Sequence, residues 1–179
     1  MKLLKDIFHN EQVDVNGRTI SRKAVRGVIA DNKKLLMIYS RKNGDYKFPG
    51  GGIKRGESHE AALKREVAEE TGKQVAGKII PFLKVIEYDL PLEREYDVFK
   101  MTSYYYWCQV KNTTEKQNLD EYEKELGFLP VWIEPDAAIA NNASLLANLR
   151  EGMPRWVKRE LQVLEKIAEK TRITPLSNP

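Results

Sequence analysis

Residues 51–73 read GGIKRGESHEAALKREVAEETGK, and the rest of the chain is best read outward from this stretch. It opens as a loop. Gly50, Gly51 and Gly52 are consecutive, a run too costly in backbone entropy for a helix or strand interior, and one that lets a ligand approach the main chain closely. The loop is predicted over Arg41 to Arg55. Ser58 is then a good N-cap, the segment from His59 to Glu70 is rich in Ala, Glu, Lys and Leu, and Gly72 stands where a helix end is expected. On that helix, at about 100° per residue, Glu66, Glu69 and Glu70 fall within an arc of roughly 100° and share one face.

Like charges so placed destabilise an isolated helix by a few tenths of a kcal/mol per pair. A hard divalent cation, which takes oxygen ligands, would offset that repulsion. A carbonyl of the glycine loop would lie beside the same place, and Arg65 precedes Glu69 by four residues, the spacing of a helical ion pair. For the glutamates alone, a solvated acidic helix face is the more common reading, because Glu and Lys abound on ordinary helices. The glycines in front of the helix favour a site.

These residues resemble the Nudix box. Gly51, five residues, Glu57, seven residues, then Arg65-Glu66-Val67-Ala68-Glu69-Glu70-Thr71-Gly72 match it position for position. Only the last position departs, with Lys73 where an aliphatic residue usually packs, which bears on the helix exit rather than on the metal ligands. Tyr46-Lys47-Phe48-Pro49-Gly50-Gly51 looks like the approach that commonly precedes the box. The resemblance implies an α/β fold, the Nudix α/β/α sandwich, with a mixed β-sheet and a loop-helix-loop metal site. It implies a hydrolase that cleaves the pyrophosphate bond of a nucleoside diphosphate linked to another moiety, with Mg2+ or Mn2+. Glu66, Glu69 and Glu70 would bind the metal, Gly51 would add its carbonyl, and Glu57 and Arg65 would support them. Family members often recruit a further acidic residue from outside the box. Glu121, Glu123 and Glu125 are the candidates, with Glu87, Glu93 and Glu95 behind them.

Around the box, short apolar runs predict strands. Val13 and Val15 before Asn16-Gly17 predict an opening hairpin within residues 1–20. Lys23 to Ala30 and Leu35 to Tyr39 predict a second strand pair, and strands are expected around Ile79 to Tyr88, Val98 to Val110 and Phe128 to Ile133. A polar loop is expected over Lys111 to Gly127, a helix over Pro135 to Leu149 and a closing helix over 154–170. With neither repeat nor linker, residues 1–179 read as a single domain.

Outside the box the functional signals are weaker. Arg22 and Arg26 are four apart on a predicted strand and could share a face toward a phosphate, although a surface pair fits as well. Tyr104-Tyr105-Tyr106-Trp107 alternates faces, so one pair could stack on a base, yet sheet packing accounts for all four. His59 reads as an exposed first-turn histidine, and His9 carries no signal. Trp156, Leu161, Leu164 and Ile167 form one side of the closing helix, which is expected to cover its own domain, with a homodimer contact as the second choice.

A net charge of +4 is compatible with an anionic small substrate and too dispersed to imply a nucleic-acid binder. Charge returns at Lys5 and Asp6, which leaves no room for a signal peptide core, and no apolar stretch is long enough for a membrane span. With Cys108 as the single cysteine, a cytoplasmic location is expected. Two other readings stay open: a Nudix-fold module that binds nucleotide or RNA without turnover, and an RNA-end pyrophosphohydrolase. Retention of all four box glutamates argues against the first.

Overall fold

The computed structural model describes residues 1–113, 115–148 and 152–173. Two strand assemblies form the middle layer. In the first, β1 (Lys2–Phe8) runs parallel to β6 (Val75–Asp89), β6 antiparallel to β7 (Val98–Val110), and β7 parallel to β2 (Thr19–Val28), a mixed sheet in the order β1-β6-β7-β2. In the second, β4 (Lys34–Ser40) pairs antiparallel with β3 (Ala30–Asp31), β5 (Tyr46–Lys47) and β8 (Phe128–Ile133).

Helices cover both faces because the strands are apolar on both. On one side, Val25, Ile29, Leu36 and Cys108 pack against Ala62, Leu63 and Val67 of α1 (His59–Thr71). On the other, Val28, Leu35, Met37, Leu83, Val85 and Tyr105 pack against Val163, Leu164 and Ile167 of α4 (Trp156–Ile173), with Ala138 of α3 (Pro135–Ala147) beside them. The expected mixed-sheet sandwich is therefore present. The apolar side of the closing helix, Leu161, Leu164 and Ile167 included, is buried in this chain's own core, as expected of a helix that covers its own sheet.

Three local expectations need correction. There is no opening hairpin: Asn16-Gly17 lies in a turn, but β1 pairs with β6 and β2 with β7. The parallel pairing of β2 with β7 joins segments about eighty residues apart, and the C-terminal half of β2 is buried. The second strand pair is likewise partial, since β2 takes β7 as its partner and only the short β3 turns back on β4, through Asn32 and Lys33 at positive φ. The polar stretch before β8 also contains a helix, α2 (Glu121–Leu126), because Asp120 and Glu123 form a reciprocal capping box and Leu126 is buried. Leu149, the predicted end of the third helix, lies outside the described residues.

Among the described residues no helix is long and apolar enough to cross a membrane.

Candidate active site

The glycine run is held flat against β2. Gly27 N–H donates to Pro49 O (2.8 Å), Val25 N–H to Gly51 O (3.0 Å), and Ile53 N–H to Lys23 O (3.0 Å). Gly50 adopts φ +137°, and a Cβ there would strike the carbonyl of Val25. A Cβ on Gly51 would collide with the carboxylate of Glu66. Gly50 and Gly51 thus remove side chains from places where backbone or carboxylate must come close.

From this loop the chain enters α1, capped by Ser58 Oγ, which accepts from Ala61 N–H at 3.1 Å. Arg65 is the hub of the helix's acidic face. Its guanidinium donates to both oxygens of Glu57 (2.8 and 2.9 Å), to Glu66 Oε1 (2.6 Å), to Glu69 Oε2 (3.0 Å) and to Gly52 O (3.1 Å). It ties loop to helix. These bonds, with Lys54 N–H, hold the Glu57 carboxyl down at about 2, so it stays ionised. The predicted pairing of Arg65 with Glu69 is present, and Glu57 is the stronger partner.

Glu70 is almost fully buried. Gly50 N–H donates to its Oε2 (2.8 Å), and Lys47 forms an ion pair with its Oε1. Glu66 is buried beside Gly51, and burial pushes its carboxyl up despite Arg65. Outside the box the third carboxylate is Glu123 of α2. One oxygen each of Glu66, Glu70 and Glu123 lie within 4.8 Å of one another. Burial, partly opposed by Asp120 N–H and reinforced by the negative charge of Glu70, raises the Glu123 carboxyl to about 7. Among the described residues no hydrogen bond reaches Glu66 Oε2 or Glu123 Oε1, so both keep free lone pairs. Three hard oxygen donors at this separation, at the edge of a cradle that only glycine permits, fit a divalent cation.

The other predicted residues fall as follows. Glu69 is a third exposed and turned to Arg65, outside the tight trio. Gly51's carbonyl is engaged by Val25 N–H. Glu121 and Glu125 are exposed on α2, as are Glu93 and Glu95 in the loop before β7. Glu87 belongs to a separate buried network. Arg26 is buried and donates to Gly50 O, whereas Arg22 is exposed, its guanidinium 5.9 Å from the Phe99 ring, so the two do not form one phosphate clamp. Tyr105 is in the core, Trp107 packs on Phe82, and Tyr104 and Tyr106 pack on His59, whose Nδ1 lies 2.6 Å from the Tyr106 hydroxyl. All four aromatics serve packing.

The helix exit is closed from outside the box. Glu115 N–H donates to Gly72 O (2.6 Å), Asn118 N–H to Glu69 O (2.8 Å), and Gln117 Nε2 to Glu70 O (2.5 Å). The last-turn carbonyls of α1 thus find their partners in this segment.

Sequence reasoning passed over Lys47 and the clamp that places it. Asn142 of α3 makes both backbone-like bonds to Tyr46, accepting from its N–H (3.0 Å) and donating to its carbonyl (2.8 Å). Asn141 donates to Gly44 O (2.8 Å), Trp156 Nε1 to Asp45 Oδ2 (2.7 Å), and Phe48 N–H to Glu160 Oε2 (3.3 Å). Helices α3 and α4 thereby hold residues 44–48 on the way to the glycine run. The signal for Glu123 was readable, because Asp120-x-x-Glu123 is a capping-box pattern. No local pattern announces Lys47.

Comparison with known proteins gives a consistent picture. The NUDIX domain family model matches residues 20–159. No curated protein matches the chain significantly. Similar solved structures include a NUDIX hydrolase from Nitrosomonas europaea (22% identity, TM-score 0.56, covering 84% of this chain and 91% of that one). A second is an ADP compounds hydrolase (22% identity, TM-score 0.54, covering 89% and 78%). A third is a MutT NUDIX hydrolase from Burkholderia pseudomallei (15% identity, TM-score 0.52, covering 80% and 97%). At these identities the structures establish a shared fold.

Proposed function

The chain belongs to the Nudix family of pyrophosphate-bond hydrolases, and on that premise we propose that it is a divalent-metal-dependent enzyme acting on a nucleoside diphosphate linked to another moiety. Divalent metals are general in the family. The observation that carries the reading is the trio of Glu66, Glu70 and Glu123, whose oxygens converge within 4.8 Å.

When bound there, Mg2+ or Mn2+ polarises the phosphoryl oxygen and acidifies water. The protein's own residues do the rest. Glu66 and Glu70 supply oxygens from one face of α1, with Glu69 one step outside them. Arg65, anchored by Glu57, orients Glu66 and Glu69 and ties the helix to Gly52. Arg26, through Gly50 O, holds the loop against β2. Glu123 is the proposed base. Its carboxylate stands beside Glu66 and Glu70, so a water held at the ion would lie within its reach, and it would take that water's proton as attack on phosphorus proceeds. Because Glu57, Glu66, Glu69 and Glu70 are all present, turnover is favoured over mere binding. The single cysteine, Cys108, which is buried, leaves no disulfide within the sequence, and on that ground a reducing, cytoplasmic setting is proposed.

The test is release of phosphate or nucleotide from nucleoside triphosphates, ADP-ribose, dinucleoside polyphosphates and nucleotide sugars, with Mg2+ or Mn2+ and with EDTA. Metal-dependent turnover of a nucleoside diphosphate derivative is the expected result. Turnover that persists in EDTA, or silence across the panel from folded protein, would overturn the proposal.

A further inference from the structure

Lys47 stands where the proposed metal chemistry would least expect a cation. Its side chain is 7% exposed, its ammonium is ion-paired with Glu70 Oε1, and it lies 4.4 Å from the centroid of the Phe128 ring. Its positive charge is also felt by Asp45 and by Glu123. The backbone on either side is tied down, because Asn142 brackets Tyr46 and Glu160 takes the N–H of Phe48. The ammonium is therefore delivered to Glu70 by a fixed strand, and it leaves only by rotation of its own side chain.

The consequence lies in the lone pairs of Glu70. Gly50 N–H holds Oε2 and Lys47 holds Oε1, so each oxygen of the most buried carboxylate in the trio already carries one donor, and one of the two is a cation. A divalent ion shared with Glu66 and Glu123 would sit on the same carboxylate as Lys47, with like charges close together in a buried place. We propose that Lys47 is a resident counter-cation of this cluster: it neutralises Glu70 in the metal-free protein, competes with the divalent ion for that carboxylate, and so sets how tightly the site binds metal. The inference rests on the metal-dependent reading above and adds a residue outside the box to the control of that site.

Mn2+ alone, without substrate, is the probe, with binding followed by calorimetry or by the Mn2+ paramagnetic signal on the full chain. Wild type is compared with Lys47→Gln, Lys47→Met and Lys47→Arg. Both neutral variants are expected to bind Mn2+ about tenfold more tightly or better, and Lys47→Arg to remain close to wild type. In EDTA the neutral variants should melt lower than wild type, with a larger upward shift on adding Mn2+. If the neutral variants fold only in the presence of Mn2+, that supports the inference, and failure to fold even then counts against it. Unchanged or weaker Mn2+ binding in folded neutral variants overturns the role of Lys47 while leaving the metal site standing. Equal tightening in Lys47→Arg also overturns it, because charge would not be the cause. Absence of Mn2+ binding in every protein, wild type included, removes the metal reading itself and the inference with it.

Discussion

Two groups of buried and half-buried carboxylates flank the central strands of this protein, and they are built to opposite ends. On the α1 side are Glu66, Glu70 and Glu123; on the α4 side are Glu87 and Glu160 around Arg159. In the second group every oxygen has a donor. Arg159 gives to Glu87 Oε2 (2.6 Å), to Glu160 Oε1 (2.6 and 3.2 Å) and to the Tyr105 hydroxyl (3.0 Å). His9 Nε2 lies 3.0 Å from Glu87 Oε1, while Phe48 N–H and the Tyr105 hydroxyl reach Glu160 Oε2. In the first group Glu66 and Glu123 each keep an oxygen with no hydrogen bond among the described residues. The comparison teaches that burial of acid alone does not mark a site. A closed network spends its carboxylates on its own fold, whereas an open one leaves donors for something else. The two are mechanically joined, because Glu160 holds Phe48 just before the glycine run that cradles Glu66.

The largest effect is expected from breaking the closed network. Arg159→Met leaves Glu87 and Glu160 buried without their cation and should cost about 3–5 kcal/mol of stability, read by denaturant unfolding. A loss under about 1 kcal/mol would mean that the network relaxes as freely as a surface pair. Glu70→Gln attacks the open group. It should lower metal-dependent turnover by about 100-fold or more, roughly 2.7 kcal/mol of barrier, in a protein that still folds but melts lower because Lys47 loses its counter-charge. Near-wild-type kcat/KM there would remove Glu70 from the chemistry.

Acid should separate the two groups next. Arg159 and His9 outweigh the burial of Glu87 and hold its carboxyl down to about 2, below its ordinary 4.5. A depressed acid stabilises the fold above its unfolded value, and that contribution is lost as pH falls from about 4.5 toward 2. Unfolding free energy measured across that window should drop in wild type and drop less steeply in Glu87→Gln, where Glu57 is still held down. The smallest effect belongs to Lys73→Val. With the last-turn carbonyls of α1 already taken by residues 115–118, restoring the usual aliphatic should change turnover by less than about twofold. A large gain in steady-state rate would show that the exit is defective as it stands.

The open group was largely legible and the closed one was not. Gly51, Glu57, Arg65, Glu66 and Glu70 lie within one loop and one helix, so spacing alone brings them together. Glu123 was one candidate among several, although its capping box with Asp120 could have singled it out. Arg159 and Glu160 are charged residues of the closing helix, and no local signal marks them for burial. They are buried because β6 and β7 bring Glu87 and Tyr105 to them across more than fifty residues of sequence. The opening hairpin failed for the same reason. Asn16-Gly17 is a local turn signal, and parallel pairing of β1 with β6 and of β2 with β7 outcompeted it.

The chain by itself determined the box: a glycine loop, a capped helix and an acidic face, all set by backbone freedom and helical period over 23 residues. Tertiary structure decided which acids meet and which cation waits beside them. Glu123, Lys47 and Arg159 acquire their partners only when strands distant in sequence are packed side by side, and burial then fixes what each charge is worth.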